Sequence, residues 1–334
     1  MKIGLVITPF DETNLRLAAQ IGVEEIVYYD MYGLPNDPGE LLPVVQRVHE
    51  HGMKMTVAEG GPPNNDIVLG KAGRESELEN YKRCLDAMSK AGLRVLCYNF
   101  MPLSLRVVRT SFETAERGGA RTNSFEAAQW DNSRLTRDGI TSDEQIWENL
   151  EWFLRRIIPA AEAAEIKLAM HPDDPPISPM CGLARIMRSV ENFQRLIDLV
   201  PSPCNGITLC QGCFSEMRAD IPAVIRQFKD RINFVHFRDT IETANGFRET
   251  FHDNGRTDMF AAMQAYKEIG YTGVARPDHV PALEGEEGPA HGYTMKGRLF
   301  AVGYMRGLMH AARLGNNVPR SKGRAVQPIL QRES

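Results

Sequence analysis

The sequence of 334 residues has no basic excess, no long hydrophobic run and no glycine-rich turn after its first apolar segment. With 39 Lys and Arg against 43 Asp and Glu the net charge is −4. A chain without a positive field is a poor match for a polyanion, so no nucleic-acid partner is expected. No apolar stretch approaches the ~20 residues needed to cross a bilayer, so no membrane partner is expected. The opening Met1-Lys-Ile-Gly-Leu-Val-Ile-Thr8 is interrupted too early for a signal peptide. Cysteines are few: Cys84, Cys97, Cys181, Cys204, Cys210 and Cys213. In a long chain without a signal they are expected as reduced thiols of a cytoplasmic protein, not as a disulfide frame. Cys210-Gln-Gly-Cys213 has the spacing of a redox pair, but no helix start is expected directly after it, and metal binding competes for the thiol.

What is present is a regular alternation of apolar strand-like runs with segments of helical period. Strands are expected at Ile3–Thr8, Glu25–Tyr29, Lys54–Val57 and Arg94–Phe100, then in the runs ending at His171, Cys210, His236 and Asp278. Helices are expected near 13–20, 40–51, 76–91, 142–164, 189–200, 220–228, 259–269 and 295–313. Thr141 and Glu144 have the spacing of a capping box at the fourth of the longer helices. Eight strands alternating with eight helices is the count of a (β/α)₈ (TIM) barrel. A doubly wound sheet also alternates, but it usually carries a glycine-rich phosphate turn after its first strand, where this chain has Thr8-Pro-Phe-Asp11. The expectation is one barrel domain over residues 1–314, with a long insertion at about 103–140 after strand four and a polar tail over 315–334. The insertion carries arginines at 106, 109, 117, 121, 134 and 137. It reads either as a solvated or oligomer-contacting segment or as a lid that attracts an anionic substrate.

Four successive strands each end in a metal-competent side chain: His171, Cys210, His236 and Asp278. Singly, a histidine or cysteine there is more often structural; the repetition on one rim is what points to a divalent ion. Imidazole, thiolate and carboxylate together suit Zn²⁺, Fe²⁺ or Mn²⁺. Four protein ligands would complete a tetrahedral zinc site, so a catalytic role favours an ion that takes five or six ligands. Around them lie groups suited to proton transfer or to holding a charged substrate: His279, Tyr293, Asp173, Asp174, Arg238 and His252. Arg276, within a barrel strand, needs an anionic partner.

Several segments together resemble the mannonate dehydratase family of metal-dependent, xylose-isomerase-like barrels. They are Glu79-Asn-Tyr-Lys82, Cys97-Tyr-Asn-Phe-Met-Pro102, His171-Pro-Asp-Asp-Pro-Pro176, Cys210-Gln-Gly212, Phe234-Val-His-Phe-Arg238, Arg276-Pro-Asp-His279, Gly292-Tyr293 and Gly297-Arg-Leu299. The resemblance implies one Mn²⁺ or Fe²⁺ held by His171, Cys210, His236 and Asp278, with His279 and Tyr293 in proton transfer, the base and acid roles left open between them. It implies loss of water from D-mannonate, giving 2-keto-3-deoxy-D-gluconate. Such a reaction needs a base for the weakly acidic proton beside the carboxylate, an acid for the departing hydroxyl and stabilisation of the enediolate. Asn99, Arg109, Asp173, Arg238, His252 and Arg276 are the substrate-binding candidates, and a homo-oligomer is the expected assembly.

The chain departs from the family pattern at Ile7-Thr-Pro-Phe10, at Leu103-Ser-Leu-Arg-Val-Val-Arg-Thr110 and at Cys213 and Glu216. All of these are near the expected substrate rim, so within the dehydratase reading another aldonic acid is an alternative substrate. A sugar isomerase or epimerase on the same barrel is the second reading, less consistent with Cys210 and the Asp278-His279 pair. A binding or regulatory subunit with a structural metal is the third.

Overall fold

The computed structural model describes residues 1–30, 33–106 and 108–312. The chain alternates as follows: β1 (Lys2–Leu5), α1 (Glu12–Gln20), β2 (Glu25–Asp30), α2 (Pro38–Glu50), β3 (Lys54–Gly60), α3 (Asn65–Leu69), α4 (Arg74–Ala91) and β4 (Val95–Tyr98). Two strands follow outside the barrel, β5 (Ser111–Ala115) and β6 (Arg121–Glu126), then α5 (Asp143–Ala163), β7 (Lys167–Met170) and α6 (Val190–Leu199). Next come β8 (Asn205–Cys210), α7 (Gln211–Glu216), α8 (Ile221–Phe228), β9 (Ile232–Phe237) and the hairpin β10 (Thr240–Glu242) with β11 (Gly246–Glu249). The described chain ends with α9 (Met259–Glu268), β12 (Val274–Pro277) and α10 (Met295–Ala311). The tail expected over 315–334 lies outside the described residues. No described helix is long and apolar enough to cross a membrane.

Eight parallel strands close into a barrel in the order β1-β12-β9-β8-β7-β4-β3-β2, as the alternation predicts. Helix starts are set by side-chain caps that accept orphan backbone N–H groups: Asp11 for α1, Ser189 for α6, Asp220 for α8 and Asp258 for α9. Leu78, Tyr81, Leu85 and Met88 of α4 are buried against the barrel, as their spacing predicts. Between barrel and helices lies the main core, while a smaller cluster of Val6, Val27, Val57, Cys97, Ala169, Phe234 and Val274 fills the barrel interior.

The segment after β4 is not a plain loop. β5 and β6 pair antiparallel with each other, and β6 pairs with β11, so insertion and hairpin form one four-stranded sheet in the order β10-β11-β6-β5. Three local expectations are corrected. The capping box of α5 is made by Ser142 and Gln145, whose side chains each accept the other's backbone N–H; Thr141 Oγ1 instead accepts from Ala184 N. A helix does begin directly after Cys210, which is the N-cap of α7; six residues are too few to display a helical period. Finally, β3 runs on to Gly60 and so carries Glu59, although a charged residue after an apolar run reads as a strand end.

Candidate metal and proton-transfer site

Alternation along each strand builds the site. Side chains two apart on a strand face the same way, and Ala169, Phe234, Val274 and Val57 line the barrel interior. His171, His236 and Glu59 are therefore aimed inward one layer further toward the C-terminal end. Thr208, whose hydroxyl donates to Cys97 Sγ at 3.1 Å, does the same for Cys210. Two residues on from Val274 comes Arg276, and two more Asp278.

His171, Cys210, His236 and Asp278 offer ligand atoms that all lie within 4.8 Å of one another. His171 Nδ1 is 2.7 Å from the Pro172 carbonyl oxygen. A carbonyl only accepts, so Nδ1 carries the proton and Nε2 the lone pair. His236 Nε2 is 3.2 Å from Glu59 Oε2, so in a neutral ring that donates there the lone pair is on Nδ1. These two free nitrogens face each other at 3.1 Å, and His236 Nδ1 is 3.3 Å from Asp278 Oδ2. Neighbouring ligands around an ion with bonds of about 2.1 Å are themselves about 3 Å apart at right-angle coordination. The four residues fit a divalent cation.

The electrostatics agree. Burial would raise the Cys210 thiol, but the hydrogen bond from Cys213, the charge of Arg238 and contacts from both histidines hold it well below its ordinary value. Cys213 itself is pushed well above its ordinary value by burial and by its bond to Cys210, so of the two it is the neutral thiol. Burial also works against the charged form of Asp278, yet Arg276, His279 and His236 keep its carboxyl well below the usual range. Burial and Arg276 oppose a proton on His236, but Glu59 and Asp278 draw one to it; the same negative field favours a metal cation.

A cavity of about 510 Å³ opens over this cluster, within the range of small-molecule sites. His171, His236, Asp278, His279, Tyr293, Asn99 and Arg109 all line it. His279 Nε2 is 3.5 Å from Tyr293 Oη, with the two rings edge to face. Burial, Tyr29 and Asp278 push the Tyr293 hydroxyl well above the ordinary phenol value, which favours its protonated form. Tyr29 packs on it at 5.4 Å between centroids.

Four of the expected substrate contacts lie behind the lining. Asp173 accepts from Met187 N and pairs with Arg185. His252 is 1% exposed and stacks on Phe237, and burial pushes its ring down to about 4. Arg276 finds its anionic partner in Glu59, two contacts at 2.8 and 2.6 Å, and in Asp278 at 2.8 Å. Arg238 is bonded to Asp278, Glu249 and Asp174. Asp173, Arg238 and Arg276 are charged side chains at or beside barrel strand ends, and sequence alone does not tell which layer they, or His252 after β11, occupy.

The lining also holds Tyr29, Glu59, Met101, Phe112, Asn123 and His291, none of them in the expected set, together with Asp174 and Arg106, which the sequence places near the site without a committed role. Asp174, not its neighbour Asp173, faces the site; it takes two bonds from Arg109, at 2.7 and 2.9 Å. Burial would raise its carboxyl, but Arg109 and Arg238 outweigh that and hold it far below the usual range. Of the insertion's arginines, Arg106 and Arg109 reach the cavity, while Arg134 and Arg137 are exposed and do not line it. Extending the inward alternation of β3 from Val57 by two would have found Glu59.

Known proteins match along the whole barrel. The model of the family described as D-mannonate dehydratase (UxuA) matches residues 8–141 and 139–318. Mannonate dehydratase 1 of Halalkalibacterium halodurans is 33% identical over 348 residues, covering 92% of this chain and 95% of that protein. The crystal structure of mannonate dehydratase from Streptococcus suis serotype 2 superposes with a TM-score of 0.86 at 31% identity, covering 94% of this chain and 95% of that one. An L-ribulose 3-epimerase superposes with a TM-score of 0.61 at 15% identity over 94% of this chain and 96% of its own, a likeness of fold alone.

Proposed function

The chain belongs to the D-mannonate dehydratase family, and we propose that it removes water from D-mannonate to give 2-keto-3-deoxy-D-gluconate, with one Mn²⁺ or Fe²⁺ as cofactor. The observation that carries the metal assignment is the convergence of two imidazole lone pairs beside a low-lying thiol and a carboxylate. His171, Cys210, His236 and Asp278 are the proposed ligands. When bound, the ion supplies Lewis-acid stabilisation of negative charge at the carboxylate end of the substrate. Mn²⁺ and Fe²⁺ are favoured over Zn²⁺ because four protein ligands leave a tetrahedral ion no place for substrate.

The remaining work falls to the chain's own groups. Dehydration breaks the C2–H and C3–O bonds: one residue takes the C2 proton and another gives a proton to the departing hydroxyl. His279 and Tyr293 line the cavity side by side and are proposed for this pair of transfers. Asn99, Asn123 and His291 offer polar contacts to the hydroxyls of a sugar acid, and Tyr29, Met101 and Phe112 supply wall that displaces water. Arg109, held by Asp174, places a guanidinium at the cavity edge.

A panel of aldonic acids tests the proposal, assayed anaerobically with Mn²⁺ or Fe²⁺ under reducing conditions. D-Mannonate should be consumed fastest with formation of a 2-keto-3-deoxy acid. Turnover of a different aldonate alone would move the substrate assignment. A ketose formed from an aldose without loss of water, or silence across the panel, would overturn it.

A further inference from the structure

We infer that Glu249, at the end of β11 in the second sheet, is a positioning residue that fixes the ring of His279 and leaves Nε2 as its one atom free for proton exchange. Glu249 is fully buried and is not part of the cavity wall, so it does not meet substrate. Its Oε1 is 2.7 Å from His279 Nδ1. A carboxylate oxygen accepts, so Nδ1 donates. Nε2 is then turned to the cavity, 3.5 Å from Tyr293 Oη.

The carboxylate is itself anchored. Arg238 Nη1 donates to the same Oε1 at 2.7 Å, and Arg109 Nη2 lies 3.3 Å away. Neither guanidinium is mobile: Arg238 is fully buried, and both also hold Asp174. On its other side the His279 ring packs on Gly292, where a Cβ would lie 2.9 Å from three ring and Cβ atoms. The ring is thus clamped between a glycine of the β12–α10 loop and a carboxylate delivered from outside the barrel.

This gives the second sheet a task. Glu249 reaches His279 because Gly246, Phe247 and Arg248 pair with Glu126, Phe125 and Ser124 of the insertion. The insertion supplies Arg109 as well, so one excursion from the barrel contributes both the strand that aligns Glu249 and a cation that fixes it. A carboxylate–imidazole hydrogen bond sets tautomer and orientation in many sites that move protons.

The inference rests on the proposed role of His279, so its test has a readout independent of turnover. In ¹⁵N-imidazole NMR of the diamagnetic Zn²⁺-loaded protein, with the signal assigned through a His279→Asn control, His279 should carry its proton on Nδ1. Glu249→Gln removes the acceptor charge. Glu249→Asp keeps the charge between Arg109 and Arg238, so the fold is retained, and withdraws the oxygen from the ring. Both variants should lose the single Nδ1–H tautomer. They should also lower kcat on D-mannonate by at least about tenfold, with KM within about threefold and bound metal unchanged. A wild-type His279 protonated mainly on Nε2 would overturn the inference. So would Asp and Gln variants whose spectrum and kcat stay within about twofold of wild type. If the wild type fails to turn over D-mannonate, the functional proposal fails separately, and the His279 spectrum alone decides the role of Glu249.

Discussion

At Tyr293 a single hydroxyl separates a proton donor from a packing ring. The ring is held by Tyr29 at 5.4 Å and flanked by the guanidiniums of Arg298 and Arg276, at 5.3 and 5.9 Å from its centroid. Tyr293→Phe keeps those contacts and removes only Oη. On the proposed mechanism kcat should fall about 10²–10⁴-fold while metal content and melting temperature hold; unchanged steady-state turnover would remove Tyr293 from the chemistry. Glu59 makes a second case. It accepts from His236 Nε2 and takes two bonds from Arg276. Burial works to raise its carboxyl, but Arg276 and His236 hold it down at about 2. Glu59→Gln should weaken metal binding about 10–100-fold by titration calorimetry, because His236 loses the partner that keeps its lone pair on Nδ1. The four proposed ligands are legible in the sequence because each closes an apolar run. Glu59 is less so: only the inward alternation continued two past Val57 points to it, and a carboxylate there looks like a loop residue until its charged partners are known.

Among the elements, the second sheet is the least legible. Its strands come from two places, β5–β6 after barrel strand four and β10–β11 after barrel strand seven, and no local pattern says that they pair. Ser111–Ala115 alternates in burial without a continuous apolar face, so the arginines dominate the reading of that stretch. The hairpin depends on Gly246, where an added Cβ would sit 1.9 Å from the Phe125 carbonyl oxygen. Backbone cannot yield there as a flexible side chain would. Gly246→Val should therefore loosen β11 against β6 and shift Glu249, while the barrel core is untouched. Hydrogen exchange should speed up in β5, β6 and β11 but not in β7, β8 or β9, and activity should fall more than thermal stability does. Uniform exchange across both sheets would mean that the second sheet is not a separate unit.

Over the whole molecule, the barrel is readable from the count of strands and helices, and the common rim from the repeated strand ends. The depth of each charged residue is not. Arg238, Arg276, Asp173 and His252 sit beside the site but behind its wall, because depth is fixed by partners on other strands. Buried charges of this kind concentrate on one end of the barrel, and a divalent cation belongs to that balance. Metal at about 100 times its Kd should stabilise the fold by about 2.7 kcal/mol if it binds the folded state alone. Differential scanning calorimetry should then show the melting temperature rising by a few degrees on adding Mn²⁺ to chelator-treated protein, an increase that Cys210→Ser should abolish.

The most direct test of metal-assisted dehydration is turnover of D-mannonate by chelator-treated enzyme before and after one equivalent of Mn²⁺ or Fe²⁺, with product identified by NMR. The account predicts no turnover before addition, formation of 2-keto-3-deoxy-D-gluconate after it, and none at either stage with Cys210→Ser. Equal rates with and without metal, or full activity in Cys210→Ser, would contradict it.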